Sequence, residues 1–257
     1  MRKIDRRSIL RALGFGAGSG IWAGFLPSRL SAQTRTRVDV ELVLAADGSG
    51  SIDDDELAFQ RQGYAKAITS NDVISVIQRG LRGTIAIAYV EWGGPDSQHL
   101  IVDWNLIGDL ESAAGFANAL VSAPRAARGY NSISGAIDFS VGLIERNIFN
   151  GERLVIDVSG DGPNIGGRPV QLARDDAVAK GITINGLVIK RPGGGYRGPG
   201  GIPLEEHYKR DVVGGPGAFV EVADENRSFE EAVRSKLISE IAEAPMAPSP
   251  AVMIRRG

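Results

Sequence analysis

The chain has no cysteine among its 257 residues and only two histidines. The first absence removes disulfides, thiol nucleophiles and Cys-ligated zinc from consideration. The second leaves His99 and His207 without an HxxxH or HExxH partner, so ordinary surface or structural roles are expected of both. No GxSxG elbow and no GxxxxGK[ST] loop occurs, which argues against an α/β-hydrolase nucleophile and a P-loop nucleotide site. Internal repeats are lacking as well. A long apolar run is also missing: the stretch 9–26 carries glycines at 14, 16, 18, 20 and 24. It is too weakly apolar for a spanning helix, which wants about 20 strongly apolar residues.

What is present starts with a basic leader. Arg2, Lys3, Arg6 and Arg7 precede that Gly-rich run, and Leu30-Ser31-Ala32 closes it. Asp5-Arg6-Arg7-Ser8-Ile9-Leu10-Arg11 resembles a twin-arginine export motif, and the modest hydrophobicity that follows suits the same route. Residues 1–32 are therefore expected to be a twin-arginine signal peptide cleaved after Ala32, giving a periplasmic or secreted protein with no membrane span. Gly14-Phe15-Gly16-Ala17-Gly18 imitates a dinucleotide loop, but no strand precedes it and the segment is expected to be removed. Cleavage takes six basic side chains and one acid from the 29 and 31 of the chain, leaving 23 against 30, a net charge of −7 in place of −2. An acidic surface argues against nucleic acid or anionic lipid as the main partner. It accords with a cation site.

With 43% apolar residues the remainder can bury an ordinary core. Strands are expected at 38–45, 84–92, 99–104, 154–158, 182–189 and 217–222. Helices are expected from 53 to 68, 71–80, 109–123, 132–147, 169–180 and 228–241. The alternation implies a doubly wound α/β fold with a mostly parallel six-stranded sheet covered on both faces. Only residues 93–98 separate the second and third strands, so that connection is a hairpin and one edge strand is antiparallel. One domain is expected over 36–243, followed by a flexible Pro-rich tail at 244–257.

Ligands of such sheets sit beyond the carboxyl ends of the strands. The turn after the first strand reads Asp47-Gly48-Ser49-Gly50-Ser51, and the turn after the 154–158 strand reads Ser159-Gly160-Asp161-Gly162-Pro163-Asn164. Both belong on one edge, and all their side-chain donors are oxygens. Oxygen donors select a hard cation, Mg²⁺ before Mn²⁺ or Ca²⁺. Glycines 48 and 50 are expected to let the backbone turn tightly enough to aim residues 47, 49 and 51 at one point. Glu91, at the end of the neighbouring strand, is read as an ordinary solvated strand end or an outer acid of the site. Asp53, Asp54 and Asp55 are read as acids favoured by a helix N-terminus, and Trp92 and Trp104 as packing residues.

The Asp-x-Ser-x-Ser at 47–51, with Asp161 after a later buried strand, resembles the metal-ion-dependent adhesion site of von Willebrand factor type A (vWA) domains. Val155 to Asn164 and Gly181 to Leu187 look like an uncharacterised bacterial branch of that family. The resemblance implies one divalent cation held by Asp47, Ser49, Ser51, Asn131 and Asp161, with Asn131 standing where the family has threonine and Ser132 beside it offering a hydroxyl. It also implies an adhesion or scaffold function, in which an Asp or Glu of a protein partner completes the coordination shell. Tyr196, Arg191 and Arg197, in the Gly-rich loop 190–203 on the same edge, are expected to touch that partner. Two further readings are weighed: a Mg-dependent hydrolase of phosphoesters, which lacks general acid and base groups, and a metal-free receptor for a soluble ligand. If the leader is a twin-arginine signal, replacing Arg6 and Arg7 by Lys stops export. Fractionation should then show the precursor in the cytoplasm, and continued twin-arginine-dependent secretion contradicts the assignment.

Overall fold

The computed structural model describes residues 35–191 and 195–242. The leader expected at 1–32 and the tail expected at 244–257 lie outside them. Six strands form one sheet: β1 (Thr36–Asp47), β2 (Ile85–Trp92), β3 (Gln98–Ile107), β4 (Phe149–Gly160), β5 (Ile182–Ile189) and β6 (Val220–Ala223), in the order β3-β2-β1-β4-β5-β6. All neighbours are parallel except β2 and β3, the expected hairpin with its antiparallel edge strand.

Why this sheet is covered on both faces follows from β1. Its even residues Val40, Leu42, Leu44 and Ala46 enter one core, and Val43 and Ala45 enter the other. The first core is closed by α1 (Asp54–Ile68), α2 (Asn71–Arg79), α3 (Leu110–Ser122) and α7 (Phe229–Ala242). The second is closed by α4 (Ile133–Arg146), α5 (Val170–Ala179) and α6 (Leu204–His207). Helix starts are chemically marked. Asp53 and Asp109 make capping boxes with Glu56 and Ser112, and Ser70 and Ser132 cap α2 and α4. The acids crowded at 53–56 thus have the helix-start role expected of them.

β3 runs three residues past the expected 104 and β6 starts three after the expected 217, and two larger departures have a physical cause. β4 begins five residues before the expected 154, because its amino half pairs with the start of β1, Thr36 opposite Phe149. Backbone hydrogen bonding there outweighs the polar side chains of Asn150, Glu152 and Arg153, which hid the strand. The chain also makes an unexpected helix, α6, that runs on into a π-helical turn at Tyr208–Val212. Tyr208 and Val212 of this turn are fully buried.

One polar group sits inside the first core. Lys236 of α7 lies 2.7 Å from Asp157 of β4 and also pairs with Glu240, which accepts from Asn185 Nδ2 at 2.9 Å. Burial opposes the lysine charge, but the two acids outweigh it and lift Lys236 above its ordinary value. One cation cannot neutralise two carboxylates. Burial, opposed by Lys236 and reinforced by Glu240, accordingly pushes Asp157 up to about 7. Since 3.8 is its ordinary value, Asp157 favours the folded state fully below that pH, and the contribution is lost as pH rises through the folded value. Asp157→Asn should therefore remove part of the pH dependence of stability. Between about pH 4 and pH 7 the urea midpoint of the wild type should fall relative to that of the variant; parallel profiles contradict the assignment.

Candidate metal centre

β1 lies between β2 and β4, so the chain leaves its carboxyl end on one side toward β2 and later returns on the other as β4. Connections diverge at that point, and the turn after β1 meets the turn after β4. Asp47 is the last residue of β1 and is fully buried, as is Ser49; Ser51 is half-buried. The Ser49 N–H donates to Asp47 Oδ1 at 2.8 Å, which folds the turn back over its own carboxylate. Ser49 and Ser51 hydroxyls are 3.0 Å apart, and Ser51 Oγ donates to Asp161 Oδ1 at 3.2 Å. Three residues of one turn, Asp47, Ser49 and Ser51, and an acid 110 positions beyond Ser51 thus share one hydrogen-bond chain.

Asn131 reaches the same edge. A Cβ placed on Gly162 would lie 2.2 Å from Asn131 Nδ2, so only glycine at 162 lets this carboxamide lie against the Asp161 turn. The Asn131 carbonyl accepts from the N–H groups of Ile165 and Gly166, at 2.9 and 3.0 Å, which ties the two segments together. Ser132 is committed elsewhere: its hydroxyl caps α4 through the Gly135 N–H and donates to the Gly166 carbonyl. Glycines 48 and 50 make this turn without a left-handed backbone. At 48 the demand is for space, since an added Cβ would meet the Ala127 Cβ at 3.0 Å, whereas at 50 the nearest atom is 3.6 Å away.

Electrostatics set the character of the edge. Burial pushes Asp47 up to about 7, and the neighbouring charge of Asp161 adds to this; hydrogen bonds from Ser49 and from the Asp161 N–H relieve it only in part. Asp47 Oδ2 is buried and has no hydrogen-bond partner. The phenol of Tyr208, buried beneath and donating to the Gly162 carbonyl at 3.4 Å, is raised far above its ordinary value by burial and then by Asp47 and Asp161.

Three arginines organise the surroundings. Arg125 clamps the first turn from outside, donating to the carbonyls of Gly48, Ser49 and Ile52 and pairing with Asp54 at 2.8 Å. Arg61 pairs with Glu91 at 2.7 Å and donates to the carbonyls of Ala123 and Pro124. Glu91 is fully buried, so it is not the solvated strand end that was one of its two expected readings. Arg191, just past β5, turns inward: its Nε donates to Asp161 Oδ2 at 2.7 Å, and its terminal nitrogen reaches the Ser51 carbonyl and Glu56. Tyr196 and Arg197 are exposed, and with Asp161 and Arg191 they line a cavity of about 220 Å³. The sequence offered no sign of the Arg125 clamp or of Tyr208. An Arg far from any acid in sequence has no local signature, and Tyr208 lies in the π-helical turn that continues the unexpected α6. His207 is buried and bonds Asp211 at 2.7 Å, while His99 lies 3.1 Å from the Ser97 hydroxyl. Both have structural roles.

Among the described residues no cluster of three or more His, Asp or Glu side chains has the geometry to hold a metal ion. The oxygen set at the sheet edge has two carboxylates only, and its other donors are hydroxyls and a carboxamide. Those residues fit a hard cation: they supply oxygen alone, and one buried carboxylate oxygen is left without a partner.

A family profile described as "Protein of unknown function (DUF1194)" matches residues 37–245. The chain belongs to this family. This DUF1194 member has the vWA fold. Its backbone superposes on a von Willebrand factor type A protein of Catenulispora acidiphila with a TM-score of 0.55 at 14% identity, over 80% of this chain and 42% of the other. The pilus adhesin SpaC of Lactobacillus rhamnosus GG gives 0.55 at 14% identity, over 81% and 31%. Proximal thread matrix protein 1 from the mussel byssus, with a zinc-occupied MIDAS motif, gives 0.50 at 16%, over 81% and 46%. The DUF1194 chain thus spans less than half the length of these solved relatives. A comparison with curated proteins finds no match. Among the described residues no helix is long and apolar enough to cross a membrane.

Proposed function

We propose that this DUF1194 member is an exported protein-binding module that captures an acidic residue of a partner through one divalent cation, Mg²⁺ first, with Mn²⁺ or Ca²⁺ as substitutes. The observation that carries this reading is the buried, unpartnered Asp47 Oδ2 at the head of an oxygen chain through Ser49, Ser51 and Asp161. Leaving a buried carboxylate oxygen unsatisfied is unfavourable by several kcal/mol, on the order of what a bound cation restores. Asp47, Ser49, Ser51, Asn131 and Asp161 would hold the ion. When bound, the cation supplies a partly dehydrated Lewis-acidic centre to which a carboxylate oxygen can be drawn.

The solved relatives support the reading in kind: one is a pilus adhesin, and another is a matrix protein whose MIDAS motif holds zinc. Surroundings of the site support it further. Tyr130, 79% exposed and next to Asn131, Ile165 at 63% and Tyr196 at 54% present apolar surface around the edge. Among the described residues Arg197, on the cavity wall, pairs with no acid and donates to the Gly201 carbonyl at 2.8 Å, so it can receive an acidic side chain. Export rests on the twin-arginine leader read from the sequence.

The test is a pull-down from periplasmic extract with the wild type and Asp47→Ala, each in Mg²⁺ and in EDTA. Wild type in Mg²⁺ should retain a partner that EDTA releases, and Asp47→Ala should lose at least about tenfold of the capture. Melting of the variant in EDTA should not fall below that of the wild type, because the substitution removes a buried carboxylate that repels Asp161. Equal capture by both proteins contradicts the proposal.

A further inference from the structure

The inward position of Arg191 has no need of a partner protein to explain it. The guanidinium joins three separate segments: Asp161 in the turn after β4 at 2.7 Å, the Ser51 carbonyl in the turn after β1, and Glu56 in the first turn of α1 at 3.2 Å. Its acceptor Asp161 is fully buried at the side chain, while Arg191 itself is about one-third exposed. With Ser51 Oγ on Oδ1 and Arg191 Nε on Oδ2, both oxygens of the Asp161 carboxylate are engaged. Charge complements this geometry. Asp161 and Glu56 flank one guanidinium, which offsets a single negative charge, and Asp47 Oδ2 is left unserved. Of the other cations near the edge, Lys190 pairs with Glu205 at 2.9 Å and Arg125 with Asp54 at 2.8 Å, while Arg197 donates to the Gly201 carbonyl. Arg191 also lines the cavity of about 220 Å³ with Tyr196 and Arg197, so the side chain has room to swing away from the acids.

We infer that Arg191 is a built-in counter-cation of the metal edge: it neutralises Asp161 when no metal is bound, and a divalent ion must displace it to draw on Asp161 and Ser51. This rests on the metal-binding reading above. A monovalent, broad guanidinium holds the two turns together in the metal-free protein. A small divalent ion satisfies the same acids and Asp47 Oδ2 besides, so it wins at sufficient concentration. Arg191 thereby sets the concentration at which the site fills, and it keeps the edge folded below that concentration.

The experiment compares wild type, Arg191→Gln and Arg191→Lys after EDTA treatment and dialysis, with free Mn²⁺ followed by electron paramagnetic resonance during titration. Arg191→Gln should bind Mn²⁺ about tenfold more tightly than wild type, the loss of one partly buried charge pair, and Arg191→Lys should fall between. Thermal melting is the second readout. Without metal Arg191→Gln should melt below the wild type, and saturating Mn²⁺ should raise its melting temperature by more than it raises that of the wild type. Arg191→Lys keeps the charge and preserves the comparison if Arg191→Gln fails to fold. Equal or weaker Mn²⁺ binding by Arg191→Gln, with binding in the wild type intact, overturns the competition while leaving the metal site standing. Binding by none of the three overturns both, because removing the competitor should have exposed the site.

Discussion

Two carboxylates that repel each other are held at one end of the sheet, and the arrangement of the edge answers to that constraint. Asp47 and Asp161 come from strands that lie side by side, so the fold itself brings their turns together. Burial raises the energy of the Asp47 charge, and the nearby charge of Asp161 adds to it. Hydroxyls of Ser49 and Ser51, backbone N–H groups and the Arg191 guanidinium each relieve part of the strain. None of them serves Asp47 Oδ2. A divalent cation, the species we propose for this site, has the charge and oxygen preference to answer the remainder.

Topology explains why the constraint arises here. β1 lies inside the sheet, with parallel partners on both sides, and is buried on both faces. Its carboxyl end is the place where the chain reverses its direction of winding, and the diverging connections open a crevice there. Close approach of backbone segments then finishes the site. Gly48 admits the 123–132 segment at Ala127, and Gly162 admits Asn131. Arg125 fixes the first turn by its carbonyls, so the serine hydroxyls face the crevice from a turn that is tied on its outer side.

Much of this was legible in the residues, and the reasons are local. β1 shows as a near-continuous β-branched run, the hairpin shows as two such runs with a Gly-Gly-Pro connection, and the Asp/Gly/Ser turn announces oxygen donors at a strand end. The amino half of β4 was not legible, since only pairing with β1 makes Asn150, Glu152 and Arg153 extend. Neither was the helix carrying Tyr208. Glu91 and Arg191 show the limit most clearly. Each is a charged residue at a strand end, where exposure is the reasonable expectation, yet Glu91 is buried against Arg61 and Arg191 turns onto Asp161. Long-range ion pairing decides both, and no window of sequence contains it.

The most direct test is an anomalous difference map from crystals soaked in Mn²⁺. The account predicts a single strong peak at the sheet edge, within about 2.0–2.3 Å of the hydroxyl oxygens of Ser49 and Ser51, with Asp47 and Asp161 close enough to bind it directly or through water. An edge without such a peak, while Arg191 remains on Asp161 at saturating Mn²⁺, contradicts it.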